Sequence, residues 1–225
     1  MKAEKISELT TNRLSVYLRC LGELADEGEE TVSSAALAKR FHLNSAQIRK
    51  DLAYFGEFGI RRVGYNVEEL RDHLVRILGL DRQHRVGIIG SGRLGTALAD
   101  YYGFRQRNFI VAALFDTDGR KIGKKIGGID VFDIKGFSAK VKKDKIEVAV
   151  IAVPAESAQT VLDIVVKAGI KAVMNFAPVR LKVGGDVKLK TIDLTTSLES
   201  LAYFLAGNAK PAGKTVKPKA GKRRN

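Results

Sequence analysis

The chain of 225 residues contains little cysteine and no long apolar run. Its one cysteine, Cys20, excludes an internal disulfide framework and fits a reducing cytoplasm. Apolar runs such as residues 109–115 are far shorter than the ~18 residues that span a bilayer. The N-terminal segment MKAEKISELTTN lacks the apolar core of a signal peptide. We therefore expect a cytoplasmic protein with no membrane partner.

Residues that serve acid–base catalysis are also scarce. Histidine occurs only at His42, His73 and His84, and no Tyr-x-x-x-Lys pair is present, so the acid–base pair of short-chain dehydrogenases is missing. Hydride transfer needs a placed proton donor and a substrate pocket. The predicted sheet domain of about 120 residues leaves no room for a substrate domain. We predict no enzymatic activity, no catalytic residue and no metal site.

The net charge of +14 is unevenly distributed. Seven basic residues and no acids follow Ala209, and this Lys/Pro/Gly-rich tail, residues 208–225, is expected to be disordered. Residues 1–84 carry 13 Lys/Arg and 13 Asp/Glu, yet acids crowd residues 23–30 while bases dominate residues 39–62. Local clustering of this kind predicts contact with phosphates.

Residues 33–55 have the pattern of a helix-turn-helix. Ser33 and Ser34 are suitable caps for a helix over residues 35–41, and Asn44 with Gln47 resembles the capping box of a second helix over residues 45–55. Glycines and bases then predict a hairpin, the wing of a winged helix, which gives a DNA-binding domain over residues 1–80. The predicted DNA-binding residues are Ser45, Gln47, Arg49, Lys50, Tyr54, Arg61 and Arg62. A three-helix interaction module without DNA is the alternative.

From residue 85 short apolar runs alternate with helical segments, which predicts a Rossmann domain over residues 81–195 with a doubly wound, mostly parallel sheet. Gly90, Gly92 and Gly95 follow a predicted strand and open a predicted helix, the context of a dinucleotide-binding turn. Asp116 ends the next strand, where a carboxylate accepts ribose hydroxyls and favours NAD(H), although Arg120 and Lys121 leave NADP(H) open. The predicted cofactor-binding residues are Gly90, Ser91, Gly92, Arg93, Leu94, Gly95, Asp116, Val153 and Pro154; Ala152, Phe176, Ala177 and Pro178 are further candidates around the nicotinamide.

Several segments together resemble one family, the redox-sensing transcriptional repressor Rex. They are QIRKDLAYFGEFG (residues 47–59), the glycine turn, FDTD after the second strand, VAVIAVPAE and GIKAVMNFAPV (residues 169–179). The resemblance covers residues 5–207. It implies a homodimer that binds an inverted-repeat operator, responds to the NADH/NAD+ ratio and is released by NADH.

The resemblance also implies a C-terminal helix, residues 196–207, that is exchanged between subunits, and a switch formed by Arg19, Tyr101 and Asp193. Two positions depart from the family pattern: Arg62 stands where the wing usually has glycine, and Leu194 where an aromatic residue can pack near the nicotinamide. The alternatives are a small NAD-dependent dehydrogenase with its substrate site at a dimer interface, and a nucleotide- or CoA-binding module without DNA.

Overall fold

The computed structural model describes residues 6–60 and 62–206. Their contacts form two compact units. One holds the chain through His84 together with Tyr101–Ile110, and the other holds Arg85–Asp100 and the chain from Val111 onward. The sequence-based division assigned residues 101–110 to the Rossmann domain, whereas the contacts in the structure place them in the first unit. Arg61 and the basic tail, residues 208–225, lie outside the described residues.

The first unit is a winged helix. Its helices are α1 (Glu8–Asp26), α2 (Ser34–Phe41), α3 (Ser45–Phe55) and α4 (Val67–Ile77), and its strands are β1 (Thr31–Val32), β2 (Gly59–Ile60) and β3 (Gly64–Asn66). The strands pair antiparallel in the order β1-β3-β2. Leu14, Leu21, Leu37, Ile48 and Leu70 are fully buried between the helices.

The predicted caps fix the ends of α2 and α3. The Ser33 hydroxyl accepts from the Ala36 amide at 3.0 Å, and the Asn44 Oδ1 accepts from the Gln47 amide at 3.0 Å. Only half of the predicted capping box forms, because the Gln47 side chain donates to Asp51 instead. In the wing, Gly64 has φ +114°, and a Cβ there would lie 2.6 Å from the Val32 carbonyl oxygen. Close approach of β1 and β3 therefore requires glycine.

The second unit contains most of a seven-stranded sheet. The strands are β4 (His84–Ile89), β5 (Phe109–Asp116), β6 (Lys125–Ile126), β7 (Ile129–Asp133), β8 (Val148–Ile151), β9 (Ala172–Asn175) and β10 (Lys188–Thr191), in the order β10-β9-β8-β4-β5-β7-β6. Its helices are α5 (Arg93–Ala99), α7 (Phe137–Asp144), α8 (Ala155–Lys167) and α9 (Leu194–Leu205), while the short α6 (Tyr102–Arg105) belongs to the first unit. Without β6, this is the strand order of a Rossmann fold, with its switch point between β4 and β8. The predicted α/β class is confirmed.

Three details differ from the sequence-based expectation. The helix predicted over residues 93–102 ends at Ala99, because Tyr101 is extended and a separate turn, α6, follows. The edge hairpin of β6 and β7 was not predicted. The last helix, expected from residue 196, begins at Leu194 because Asp193 caps it, with its Oδ1 accepting from the Thr195 amide at 2.9 Å.

Candidate functional site

A glycine-rich turn joins β4 to α5 at the centre of the sheet. Gly90 has φ +100°, and a Cβ there would lie 2.4 Å from the Ala152 carbonyl oxygen. A Cβ on Gly95 would lie 1.8 Å from the Gly90 carbonyl oxygen. A Cβ on Gly92 would meet no described atom within 4 Å. Close packing thus requires the first and third glycines, and the second leaves one side of the turn open for a ligand.

A pocket of about 500 Å³ lies at the carboxyl ends of β4, β5 and β8. This is the place where Rossmann folds bind dinucleotides. Of the predicted cofactor residues, Gly90, Gly92, Asp116, Val153 and Pro154 line it. Ser91, Arg93, Leu94 and Gly95 belong to the turn and the first turn of α5, and are not part of the lining. Of the nicotinamide candidates Ala152 lines the pocket, while Phe176, Ala177 and Pro178 do not.

Several lining residues were not predicted from the sequence, and the list includes Thr117, Lys121, Glu156, Ser157 and Thr160. Glu156 is the last residue of VAVIAVPAE, and Ser157 and Thr160 follow it on α8, so the position of this motif could have indicated all three. Thr117 and Lys121 follow Asp116 in the loop after β5. In the sequence, Lys121 was considered only as a cation near Asp116 and not as a cofactor-binding residue.

Asp116 sits in this pocket with its carboxylate surrounded by donors. Its Oδ2 accepts from the Ser91 amide at 3.0 Å, the Ser91 hydroxyl at 2.5 Å and the Lys121 Nζ at 3.0 Å. Its Oδ1 accepts from the amides of Thr117 and Asp118 at 2.8 and 3.0 Å. Burial raises the pKa of Asp116, but these hydrogen bonds, those of Ser91 foremost, hold it far below its usual value. Asp116 is therefore a permanent anion in the pocket.

The predicted DNA-binding residues of α3 divide by exposure. Arg49, Lys50 and Tyr54 are exposed, whereas Ser45 and Gln47 are half-buried. The Arg49 guanidinium donates to the Ser34 hydroxyl at 3.0 Å, which holds it beside the start of α2. A groove of about 520 Å³ runs between α3 and the wing, and both Arg49 and the exposed Arg62 line it. The first unit thus presents cations on α3 and on the wing.

Asp51 is the residue that sequence reasoning missed in this unit. Its side chain is buried, with only 4% of the residue exposed. Its carboxylate accepts hydrogen bonds from the Arg13 guanidinium at 2.5 and 2.8 Å, from the Tyr17 hydroxyl at 2.9 Å and from the side-chain amide of Gln47 at 2.7 Å. Burial raises the pKa of Asp51, but these hydrogen bonds outweigh it and hold the pKa below its usual value. Asp51 therefore ties α1 to α3.

Arg62 occupies a strained position in the wing. Its φ is +71°, a left-handed conformation that glycine adopts without cost and other residues do not. Arg62 therefore adds a cation to the wing and strains its turn.

The three residues of the predicted switch are all exposed. Arg19 lies on α1 and Tyr101 precedes α6, both in the first unit, while Asp193 caps α9 in the second. No described residue of α9 is buried. Its exposed apolar residues are Leu194, Leu198, Leu201, Tyr203, Phe204 and Leu205, each at least 58% exposed.

Known proteins match nearly the whole chain. A family model described as "Putative DNA-binding protein N-terminus" matches residues 5–53, and one described as "CoA binding domain" matches residues 81–179. The redox-sensing transcriptional repressor Rex of Syntrophomonas wolfei is 49% identical over 208 residues, which is 92% of this chain and 99% of that protein. This chain belongs to the Rex family. The family resemblance seen in the sequence motifs is thereby confirmed.

Other Rex relatives agree. Rex of Carboxydothermus hydrogenoformans is 49% identical over 90% of this chain and 98% of its own. Among solved structures, RSP in complex with β-NAD+ and operator DNA has a TM-score of 0.86 and 39% identity, covering 90% of this chain and 93% of RSP. RSP in complex with β-NADH has a TM-score of 0.81, 37% identity and coverages of 90% and 95%. RSP is described as a Rex-family repressor.

Within residues 6–60 and 62–206, no group of three His, Cys, Asp or Glu residues could hold a metal ion. No helix in that part of the chain is long and apolar enough to cross a membrane.

Proposed function

We propose that this chain is a transcriptional repressor that senses the NADH/NAD+ ratio, binds operator DNA as a homodimer and leaves it when NADH binds. The observation that supports this proposal most strongly is the structural similarity to RSP, which extends over 90% of this chain. Structures of RSP have been solved with NAD+ and operator DNA and with NADH. The chain has a matching feature for each ligand, the cationic winged helix and the pocket at the glycine turn. The Rossmann unit then acts as a sensor, and the chain is not an enzyme.

For DNA, α3 is the recognition helix. Exposed Arg49, Lys50 and Tyr54 reach the major groove from one helix, and Arg62 on the wing contacts the backbone or the minor groove. Gln47 is held by Asp51, so its amide is presented in a fixed orientation rather than as a mobile side chain. Ser45 and Arg61 complete the proposed DNA-binding set.

For the cofactor, the pocket binds NAD(H). Gly92 opens the turn to the pyrophosphate, and Asp116 faces the adenine ribose. Ala152, Val153 and Pro154 form an apolar wall after β8. A wall of this kind closing on the nicotinamide penalises the cationic ring of NAD+ by desolvation more than the neutral ring of NADH. NADH therefore stabilises a closed state.

The dimer rests on α9. A 12-residue helix with large apolar residues exposed on it is expected to be covered in the working protein, because such patches mark interaction sites. We propose that α9, which corresponds to the helix predicted from the sequence over residues 196–207, packs on a second copy of the chain. Two-fold symmetry then demands an inverted-repeat operator.

Coupling between the two ligands follows from linkage. If NADH weakens operator binding by some factor, the operator weakens NADH binding by the same factor. A shift from 1:99 to 99:1 requires about 5.5 kcal/mol of differential affinity, which two cofactors per dimer can share. Arg19, Tyr101 and Asp193 are the proposed switch, and the cytoplasm, where both NADH and DNA are available, is the proposed location.

The test is fluorescence anisotropy with a labelled inverted-repeat operator at fixed salt. NADH, NAD+ and CoA are titrated separately into the complex. Release by NADH at concentrations where NAD+ and CoA do nothing is the expected result. Specific operator binding that ignores all three would contradict the sensor. Release by CoA alone would support the nucleotide- or CoA-module alternative, and NAD-dependent turnover of a simple alcohol would support the dehydrogenase.

A further inference from the structure

The carboxylate of Asp116 is already fully occupied in the pocket. It accepts from five donors, three on Oδ2 and two on Oδ1. A carboxylate offers about four lone-pair sites. A ribose diol that donates to Asp116 must therefore displace one of these donors. Which donor leaves determines what charge a 2′ substituent of the ribose meets.

Lys121 is the donor with the most freedom to move. Three of the five donors are backbone amides, fixed by the turn after β4 and the loop after β5. The Ser91 hydroxyl is held on a residue that is 4% exposed. Lys121 has a flexible stem, and its side chain is 36% exposed. Of the five donors, it is therefore the one that can leave Asp116 without a movement of the backbone.

Resting on the proposed NAD(H) site, we infer that Lys121 sets how strongly the pocket prefers NADH over NADPH. With Lys121 present, the negative charge of Asp116 is neutralised, and a 2′-phosphate finds an ammonium beside the carboxylate. Without it, the phosphate meets the Asp116 carboxylate with no cation beside it, while a 2′-hydroxyl no longer competes with the ammonium for Oδ2. Lys121 therefore softens the rejection of the phosphorylated cofactor that Asp116 alone would impose.

The neighbouring cation, Arg120, does not play this part. Its guanidinium donates to both carboxylate oxygens of Asp118 at 3.0 and 2.8 Å, and its side chain is 89% exposed. Arg120 is not among the residues that line the pocket, whereas Lys121 is. The two adjacent cations thus form two separate ion pairs. Of these, the pair of Lys121 and Asp116 lines the pocket, and the pair of Arg120 and Asp118 does not.

The experiment measures the dissociation constants of NADH, by calorimetry, and of NADPH, by competition against NADH. The full-length chain is compared with Lys121→Met, Lys121→Arg and Arg120→Met. Lys121→Met should raise the ratio of the NADPH to the NADH constant by about three- to fivefold, since one partly exposed cation beside the 2′-phosphate is lost. Lys121→Arg should keep the ratio, and Arg120→Met, which removes one charge at the adjacent position, should leave it within about twofold.

The outcomes separate this inference from the proposed function. If the unsubstituted chain does not bind NADH, the proposed function fails. If it binds NADH and Lys121→Met leaves the ratio unchanged or lowers it, the inference is wrong. A parallel loss of affinity for both cofactors would also overturn it, because Lys121 would then only hold Asp116 in place. Failure of NADPH to compete at all with NADH in the unsubstituted chain would contradict it as well.

Discussion

Replacing Asp51 by asparagine should destabilise the winged helix more than most single changes. Asparagine has the same shape, but its amide group places donors against the guanidinium of Arg13, which now donates to both carboxylate oxygens. Breaking a buried ion pair costs about 3–5 kcal/mol, and the lower end applies because the Arg13 side chain is 34% exposed. The expected loss is about 3 kcal/mol, a large part of a domain's 5–15 kcal/mol.

The assay is denaturant unfolding followed by far-ultraviolet circular dichroism, with the two units analysed as separate transitions if the curve requires it. Asp72→Asn, which removes an exposed acid from α4, is the matched control and should change stability by less than about 0.5 kcal/mol. A loss below about 1 kcal/mol for Asp51→Asn would refute the reasoning, because it would mean that the Arg13 contact contributes no more than a surface pair.

The same pair has a pH signature. The pKa of Asp51 is lowered in the folded chain, so its contribution is fully present above the unfolded pKa of about 4 and is lost as the pH falls through the folded pKa. The stability difference between the unsubstituted chain and Asp51→Asn should therefore shrink when the pH is lowered from neutral to about 3. A difference that stays constant over this range would show that the charge of Asp51 is not what matters.

Three further changes test other parts of the account. Gly95→Ala puts a Cβ against the Gly90 carbonyl oxygen and should weaken NADH binding, measured by calorimetry, by about tenfold or more. The control Gly136→Ala, at a position where a Cβ meets no described atom within 4 Å, should leave NADH binding unchanged. Equal effects of the two substitutions would contradict the close-packing argument. Arg62→Gly relieves the positive φ, worth about 1 kcal/mol, and should reduce the salt dependence of operator binding by about one phosphate contact; an unchanged slope would remove Arg62 from the DNA interface. Leu201→Asp should shift the chain from dimer to monomer in sedimentation, whereas an unchanged dimer would show that α9 is not the interface.

Local signals in the sequence were sufficient for much of the fold. Ser33 and Asn44 cap the helices they were expected to cap, because a capping bond joins residues three apart and needs no tertiary context. The glycine turn was equally readable, since Gly90, Gly92 and Gly95 lie within six residues between a predicted strand and a predicted helix. Apolar runs were enough to locate the buried parallel strands along the chain.

Features that depend on distant pairing were not accessible in this way. Arg13 and Tyr17 meet Asp51 across 38 and 34 residues, so no window of sequence contains the network. The edge hairpin of β6 and β7 has a two-residue first strand next to two glycines, which gives no alternation to detect. The pairing of Lys121 with Asp116 depends on how the loop after β5 folds back, and charge spacing alone left that open.

The central claim is that NADH and the operator oppose each other on one protein. The most direct test is calorimetric binding of NADH to the free chain and to the chain saturated with its operator, at the same salt concentration. The account predicts weaker NADH binding to the operator complex, by the same factor by which NADH weakens the operator. Equal affinity of NADH for the free and the DNA-bound chain would contradict it, however tightly each ligand binds alone.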